Sequence, residues 1–255
     1  MFQVRFHGRG GQGVVTAAEL LAAAAFSEGR HAQAFPSFGS QRMGAPVMSF
    51  CRIDDKPIRT HEPVSEPDAL IIQDPTLLHL ADLFGGFGGV VPPGQQSAGL
   101  GRDGYLLINS AHGFGELGLD EFVKPFRRDR LLVMPASALA QTHLGRPLPG
   151  AAMLGGFAAL TWVVSLDSVL AAINERFTGA VAEGNEEAAR AAFAFVRDER
   201  EALTHAYVTA SRDAARTGLG SALCTLSCNA SAAPLLAAYA RARSGLAVSV
   251  TTEAS

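Results

Sequence analysis

Residues 2–25 read FQVRFHGRGGQGVVTAAELLAAAA, and three local patterns follow one another within this stretch. Apolar and polar residues alternate from Phe2 to Phe6, which is typical of a β-strand with one buried face. The hexapeptide GRGGQG at residues 8–13 interrupts the strand, and the Ala- and Leu-rich run that begins at Val14 has helical spacing. The stretch therefore predicts a strand, a glycine loop and a helix, in that order.

The alternation of strands and helices continues along most of the chain. Five further short apolar runs predict strands, and Ala- and Leu-rich stretches predict further helices. This order is typical of an α/β fold, and we expect a Rossmann-like parallel-sheet domain with helices on both faces. We expect that domain to span residues 1–205, followed by a C-terminal appendage at residues 206–255 that is helical or extended and either flexible or partner-docking. The predicted strands are residues 31–35, 47–53, 69–73, 105–109 and 131–134, and the later predicted helices are residues 136–144, 151–164, 167–177 and 186–205.

Composition excludes several classes of protein. Of 255 residues, 48% are hydrophobic and 18% are charged, which is typical of a globular rather than a disordered chain. The formal net charge of −3 gives no sign of a nucleic-acid or membrane partner. Three cysteines, no signal-peptide pattern and no apolar run long enough to span a bilayer predict a cytoplasmic protein without a disulfide framework.

The glycine loop GRGGQG has the arrangement of an anion site. Glycines let backbone N–H groups approach a phosphate, and the helix dipole favours negative charge at the helix N-terminus. A dinucleotide site would also need an acidic residue at the end of the second strand, and the chain from Pro36 to Arg42 reads PSFGSQR without one. The loop also lacks the Gly-Lys-Ser/Thr of a Walker A loop. It therefore suits a phosphate better than NAD, and a tight turn without a ligand is the alternative.

A second unusual stretch, FPSFGSQRMGAPV at residues 35–47, separates the second and third predicted strands. In an α/β sheet this strand end lies beside the first loop, so Ser40 and Arg42 are candidates to bind a phosphate or carboxylate. A rigid surface turn with Arg42 in solvent is the alternative. No histidine or cysteine spacing indicates a metal site, and we predict no catalytic residue. The candidate cofactor-binding residues are Gly8, Arg9, Gly10, Gly11, Gln12, Gly13, Ser40 and Arg42.

These two stretches together resemble the γ subunits of the 2-oxoacid:ferredoxin oxidoreductases, of which pyruvate:ferredoxin oxidoreductase is the familiar member. The resemblance covers about residues 3–200 and is carried by GRGGQGVVTAAELL at residues 8–21, AQAFPSFG at residues 32–39 and GAPV at residues 44–47. The family commonly has an acidic residue and two arginines before GAPV, where this chain reads QRM at residues 41–43. Shorter matches follow in order at residues 52–54, 57–59, 67–68, 74–76, 108–110, 144–147 and 152–155.

The resemblance implies a subunit rather than a complete enzyme. Members of the family oxidatively decarboxylate a 2-oxoacid to acyl-CoA and CO₂ on thiamine diphosphate in anaerobic metabolism, and electrons pass through iron–sulfur clusters to ferredoxin or another acceptor. The resemblance implies α, β and ferredoxin-like δ partner subunits, no cofactor held by this chain alone, and an inactive isolated chain. It also implies that the γ chain helps to form the coenzyme A site, with the glycine loop and Arg42 facing its phosphates.

Other readings of the same residues stay open. The small subunit of indolepyruvate oxidoreductase shares the glycine-loop motif, and an independent nucleotide-binding oxidoreductase could use the same loop. The substrate is also open: pyruvate is the commonest choice in the family, beside 2-oxoglutarate, branched 2-oxoacids and arylglyoxylates such as phenylglyoxylate. The glycine-rich stretch 85–104 and the appendage exceed the usual γ length, so each could dock a further electron-transfer subunit or be a solvated extension.

Overall fold

The computed structural model of the chain describes residues 1–37, 44–79 and 99–217. Most of the glycine-rich stretch 85–104 and the part of the predicted appendage from residue 218 onward lie outside the described residues. The strands are β1 Phe2–Arg9, β2 His31–Ser37, β3 Pro46–Asp54, β4 Ala69–Ile72, β5 Tyr105–Asn109 and β6 Leu131–Met134. The helices are α1 Val14–Ser27, α2 Asp120–Val123, α3 Ala136–Leu144, α4 Gly150–Thr161, α5 Leu166–Arg176 and α6 Gly179–Thr217, with short 3₁₀ turns at Pro75–His79 and Arg128–Arg130.

The six described strands form one mixed sheet in the order β2-β3-β1-β4-β5-β6. The strands β1, β4, β5 and β6 are mutually parallel, whereas β3 pairs antiparallel with both β1 and β2. Antiparallel neighbours can be joined by a short loop, and the connection at residues 38–45 is too short for the helical crossover that parallel neighbours need. The predicted α/β fold is confirmed, and the sheet departs from a wholly parallel one at β3.

The main hydrophobic core lies on one face of the sheet. Side chains alternate across the strands, so Val4 and Phe6 of β1 point to this face together with Cys51 of β3 and Ile71 of β4. The helix α1 packs on β2 and β3, and α4 packs against α3 and α5. Residues from all five of the long helices α1, α3, α4, α5 and α6 contribute to this single core.

Small residues let the helices of this layer approach one another closely. In α4, which is buried along almost its whole length, a Cβ added to Gly155 would lie 2.0 Å from the Ala189 carbonyl oxygen of α6. A Cβ on Gly184 of α6 would lie 2.8 Å from the His143 carbonyl oxygen at the end of α3. Glycine at these two positions therefore sets the spacing between neighbouring helices.

The larger compact unit of the chain comprises Met1–Ala111 and Pro125–Thr204, and it contains the whole sheet. The segment His112–Lys124, which holds α2, belongs to a second unit. The helix α6 runs without interruption through the predicted domain boundary after residue 205. Among the described residues, no helix is both long and apolar enough to cross a membrane.

Replacing Gly155 with alanine tests the close packing of α4 on α6. The new methyl group would overlap backbone of Ala189, and helix packing must shift to accept it. We expect the free energy of unfolding to fall by about 2 kcal/mol, because overpacking outweighs the better helix propensity of alanine. Denaturant unfolding followed by circular dichroism measures the change. Gly101→Ala, where a Cβ would meet nothing within 4 Å, is the matched control, and equal stabilities of the two variants would contradict the packing argument.

His7 makes the stability of the fold depend on pH. Its side chain is 5% exposed, and burial, followed by the charge of Arg5, lowers its pKa from 6.5 to about 3. Below about pH 6.5 His7 binds a proton in the unfolded chain, whereas in the folded chain it stays neutral down to about pH 3. The contribution of His7 to the free energy of unfolding is therefore complete above pH 6.5 and is lost as the pH falls from 6.5 toward 3.

We expect this single group to lower the free energy of unfolding by up to about 1.4 kcal/mol per pH unit in that range. His7→Gln should flatten the slope between pH 6 and pH 4 relative to the unsubstituted chain, as measured by urea unfolding at each pH. His31→Gln, at an exposed position of β2, is the control and should keep the original slope. Parallel slopes for all three proteins would show that His7 does not carry the effect.

Candidate functional site

The glycine loop joins β1 to α1 in a turn that side chains would obstruct. A Cβ on Gly8 would lie 2.6 Å from Val14 Cγ2 and 3.0 Å from Gln12 Oε1. Gly11 and Gly13 have positive φ angles of 95° and 74°, in the left-handed region that favours glycine. Gly13 is also the N-cap of α1 and has no side chain with which to cap the helix. The loop therefore presents backbone groups, rather than a capping side chain, at the start of α1.

The N–H groups of the first turn of α1 have no hydrogen-bond acceptor within the helix. Ala17 donates the first helical hydrogen bond, 2.9 Å from its nitrogen to the Gly13 carbonyl oxygen. The N–H groups of Val14, Val15 and Thr16 precede that bond, so they have no acceptor inside the helix. Together with the positive end of the helix dipole, they form the kind of backbone cluster that binds phosphate.

The side chain of Arg9 is occupied within the chain. Its Nε lies 3.1 Å from Asp74 Oδ2, its Nη2 donates to Thr76 Oγ1 at 2.7 Å, and its Nη1 donates to the Gly44 carbonyl oxygen at 3.0 Å. All three nitrogens of the guanidinium thus have partners on neighbouring loops. The structure places Arg9 as a link between loops, beside the backbone of the predicted anion site.

Gln12 and Asp74 close the loop from the other side. Gln12 Oε1 accepts from the Arg9 N–H at 2.8 Å, and Gln12 Nε2 donates to Asp74 Oδ2 at 2.8 Å. Asp74 Oδ1 accepts from both the N–H and the hydroxyl of Thr76. Burial alone would raise the pKa of the Asp74 carboxyl, but these hydrogen bonds and the charge of Arg9 lower it below its ordinary value, so Asp74 is an anion at neutral pH.

The glycine loop is also joined to the end of the β2–β3 connection. The Gly10 N–H donates to the Ala45 carbonyl oxygen at 2.9 Å, and the Gly44 N–H donates to the Gly10 carbonyl oxygen at 3.2 Å. Ser40 and Arg42, the other two predicted binding residues, belong to this connection but lie outside the described residues. The described end of the connection reaches the glycine loop, as the position of the two stretches at one edge of the sheet predicted.

A cavity of about 400 Å³ opens beside the glycine loop. Gly11, Gln12 and Gly13 line one end of it, and Arg146 from the α3–α4 connection contributes a cationic side chain. Arg146 is exposed, and within the described part of the chain its guanidinium has no hydrogen-bond or ion-pair partner. The remaining lining is largely apolar and comes from α1, the end of α3, the α3–α4 connection, the start of α4 and the region around the α5–α6 junction: Thr16, Ala17, Leu20, Leu144, Leu148, Gly150, Ala151, Phe177, Ala180, Val181 and Asn185.

A second helix begins at the same cavity. The first helical bond of α4 runs from the Met153 N–H to the Pro149 carbonyl oxygen at 2.8 Å, so the N–H groups of residues 150–152 precede it. A Cβ on Gly150 would lie 3.6 Å from Ala17 Cβ and 3.8 Å from the Gly13 carbonyl oxygen. Two helix N-termini and one arginine therefore surround the cavity, which suits an anionic ligand with an apolar portion.

Sequence reasoning found the glycine loop but missed Arg146 as a functional candidate. Residues 144–147 were noted as one match among several, with no chemical role. A lone arginine after a predicted helix gives no signal of its own, because its neighbours in the cavity come from α1 and α6. The packing of α1 against the start of α4 brings the preceding connection, and with it Arg146, to the site.

Cys51, the cysteine that the structure describes, lies in the core rather than beside the glycine loop. The Cys51 thiol is completely buried, and burial raises its pKa, so it is not a ready nucleophile. Across the described ranges, no three His, Cys, Asp or Glu side chains form a group that could hold a metal ion. Cys224 and Cys228 lie outside the described residues.

The chain matches a family model over most of its length. Residues 3–195 match the family described as pyruvate ferredoxin/flavodoxin oxidoreductase. Among similar proteins, the pyruvate/ketoisovalerate oxidoreductases common subunit gamma of Thermococcus kodakarensis is 44% identical over 195 residues, which cover 76% of this chain and 96% of that protein. The predicted resemblance to γ subunits is confirmed.

Solved structures agree with this assignment. The pyruvate oxidoreductase subunit PORC of Thermotoga maritima is 33% identical with a TM-score of 0.57, and the match covers 75% of this chain and 94% of that one. A 2-oxoglutarate:ferredoxin oxidoreductase from Magnetococcus marinus, solved with 2-oxoglutarate, coenzyme A and succinyl-CoA, has a TM-score of 0.54 and shares the fold at 16% identity. That match covers 77% of this chain and 31% of the other. The chain therefore belongs to the pyruvate ferredoxin/flavodoxin oxidoreductase family, as the γ subunit of a 2-oxoacid:ferredoxin oxidoreductase.

Proposed function

We propose that this γ subunit helps to form the coenzyme A site of a complex that oxidatively decarboxylates a 2-oxoacid to acyl-CoA and CO₂. The observation that carries the proposal is the cavity beside the glycine loop, where two helix N-termini and Arg146 surround a largely apolar space. Coenzyme A combines phosphate groups with an extended, less polar arm, which is the combination that such a cavity suits.

The glycine loop favours the phosphates of coenzyme A over a dinucleotide such as NAD. At Gly11 and Gly13 a Cβ would meet nothing within 4 Å, so these two glycines leave the start of α1 open to a close approach of phosphate. A dinucleotide site of this fold usually holds the ribose through an acidic residue after the second strand, and residues 36–43 contain none. The chain's own residues would bind and orient the ligand, through the backbone of the loop and the charge of Arg146.

The other groups of the reaction belong, in this proposal, to α, β and ferredoxin-like δ subunits. Thiamine diphosphate supplies the carbanion-stabilising chemistry of decarboxylation when it is bound. An iron–sulfur cluster needs about four cysteine ligands, whereas this chain has three cysteines in all, of which Cys51 is buried in the core. The chain therefore does not fit a cluster, and we infer that it is inactive alone.

The names of the relatives bear on the substrate. The relative from Thermococcus kodakarensis is named for pyruvate and ketoisovalerate. The Thermotoga maritima protein is named for pyruvate, and the Magnetococcus marinus enzyme for 2-oxoglutarate. We propose pyruvate and branched 2-oxoacids as the first substrates to test, with 2-oxoglutarate and phenylglyoxylate after them. We also propose that residues 1–205 act as the γ domain, since the family match ends at residue 195, with residues 206–255 as a partner-docking or flexible extension.

Native purification tests the proposal directly. The tagged chain, isolated without oxygen from its own cells, should carry companion subunits and reduce a viologen dye with one of the 2-oxoacids in a manner that requires coenzyme A. An inactive chain without companions, prepared gently, would count against a stable complex. Binding of NAD by such a lone chain would favour the independent nucleotide-binding oxidoreductase instead.

Replacing Arg146 with glutamine tests the cationic wall of the cavity. The variant complex should have a KM for coenzyme A about three- to tenfold higher, because a charge-assisted contact to a phosphate is lost. The KM for the 2-oxoacid should stay unchanged, and steady-state kinetics with each substrate varied in turn separates the two. Arg128→Gln, at an exposed position that does not line the cavity, is the matched control. If the Arg146→Gln and Arg128→Gln complexes had the same KM for coenzyme A, Arg146 would not be part of the coenzyme A site.

A further inference from the structure

Asp74 occupies the centre of a network that joins three loops at the edge of the sheet. It lies two residues after the end of β4 and reaches the glycine loop across 62 residues of sequence, through its contact with Gln12. The Asp74 carboxylate receives four donors: Arg9 Nε and Gln12 Nε2 at one oxygen, and the Thr76 N–H and hydroxyl at the other. Its side chain is 11% exposed, so these partners replace most of the water around the carboxylate.

The same network accounts for the side chains of Arg9 and Gln12. Each guanidinium nitrogen of Arg9 has a partner, and these partners are Asp74, Thr76 and the Gly44 carbonyl oxygen. The Gln12 amide accepts from the Arg9 N–H and donates to Asp74. The bonds that involve the Arg9 guanidinium or the Asp74 carboxylate are charge-assisted, so they fix the positions of both side chains. The network thereby holds the backbone from residue 9 to residue 13 against the β4 end.

We propose that Asp74 is a positioning residue of the coenzyme A site, which holds the glycine loop through Arg9 and Gln12 so that the first N–H groups of α1 face the ligand. In this role Arg9 and Gln12 shape the site without contacting the phosphate. Because Arg9 also binds the Gly44 carbonyl, the network sets the position of the glycine loop relative to the end of the β2–β3 connection. The inference rests on the proposed coenzyme A site.

Asp74→Asn in the intact complex tests the role. An amide at this position retains an acceptor for Thr76, but its NH₂ group would face the donors of Arg9 and Gln12, so the link to the loop is lost. We expect the KM for coenzyme A to rise about tenfold, the loss of one or two charge-assisted hydrogen bonds. We expect kcat at saturating coenzyme A and the KM for the 2-oxoacid to change by less than about twofold.

Two further variants separate positioning from general destabilisation. Asp74→Asn combined with Gln12→Glu exchanges the amide and the carboxylate within the network. It restores the bond between positions 12 and 74 but not the one from Arg9 Nε, so it should return the KM for coenzyme A part of the way to the unsubstituted value. Asp129→Asn is the matched control, because Asp129 also pairs with an arginine, Arg127, but does not line the cavity. It should leave every constant unchanged.

Hydrogen–deuterium exchange of the same complexes distinguishes failure of this inference from failure of the proposed function. Without coenzyme A, Asp74→Asn should speed exchange in residues 10–17 and 44–48, and Asp129→Asn should not. In the unsubstituted complex, coenzyme A should slow exchange in residues 10–17; its failure to do so would overturn the coenzyme A site. Unchanged exchange and an unchanged coenzyme A constant in Asp74→Asn would overturn the positioning role, as would an equal loss in all kinetic constants.

Discussion

The turn from β1 into α1 is the constraint on which the rest of the structure depends. The strand β1 lies in the middle of the sheet, hydrogen-bonded to β3 on one side and to β4 on the other. Only the four residues 10–13 connect it to α1, which must fold back onto that sheet. The space beside Gly8 is filled by Val14 and Gln12, so the turn closes only because no Cβ stands there. The residues of this turn line one end of the cavity of the candidate site.

Electrostatics then hold the turn in one shape. A largely buried carboxylate is costly in isolation, and Asp74 is stable there because four donors and the charge of Arg9 surround it. The same bonds fix the side chains of Arg9 and Gln12, and the first N–H groups of α1 have no acceptor inside the helix. Backbone donors that are held in place lose little entropy when a phosphate binds, which favours affinity.

Close packing of the helical layer leaves space where it is needed. Gly155 and Gly184 bring α6 tightly against α4 and the end of α3, while the cavity remains beside the N-termini of α1 and α4. Arg146 enters that cavity from the α3–α4 connection, which the packing of α4 places next to α1. The proposed site for an anionic ligand therefore rests on a dense core on one side and an open cavity beside the glycine loop.

Local sequence was sufficient for most of the elements. Alternation and helical spacing predicted all six described strands and the positions of α1, α3, α4 and α5 to within a few residues, because those patterns reflect one buried face. The sequence predicts a helix from residue 186, whereas α6 begins at Gly179, and the close packing of Gly184 on the end of α3 accommodates a glycine inside the helix. The antiparallel direction of β3 was not anticipated, although the short connection before it carries that information.

The sequence by itself determined the α/β class, the glycine loop and the family of this protein, since each depends on residues that are near one another along the chain. Only the tertiary structure decided that Arg9 and Gln12 are tied to Asp74, and that Arg146 reaches the cavity beside the loop. These contacts join residues more than 60 positions apart in sequence, as the separation of 62 between Gln12 and Asp74 shows. Spacing along a chain carries no signal for such pairs, because their distance is set by how the strands align and the helices pack.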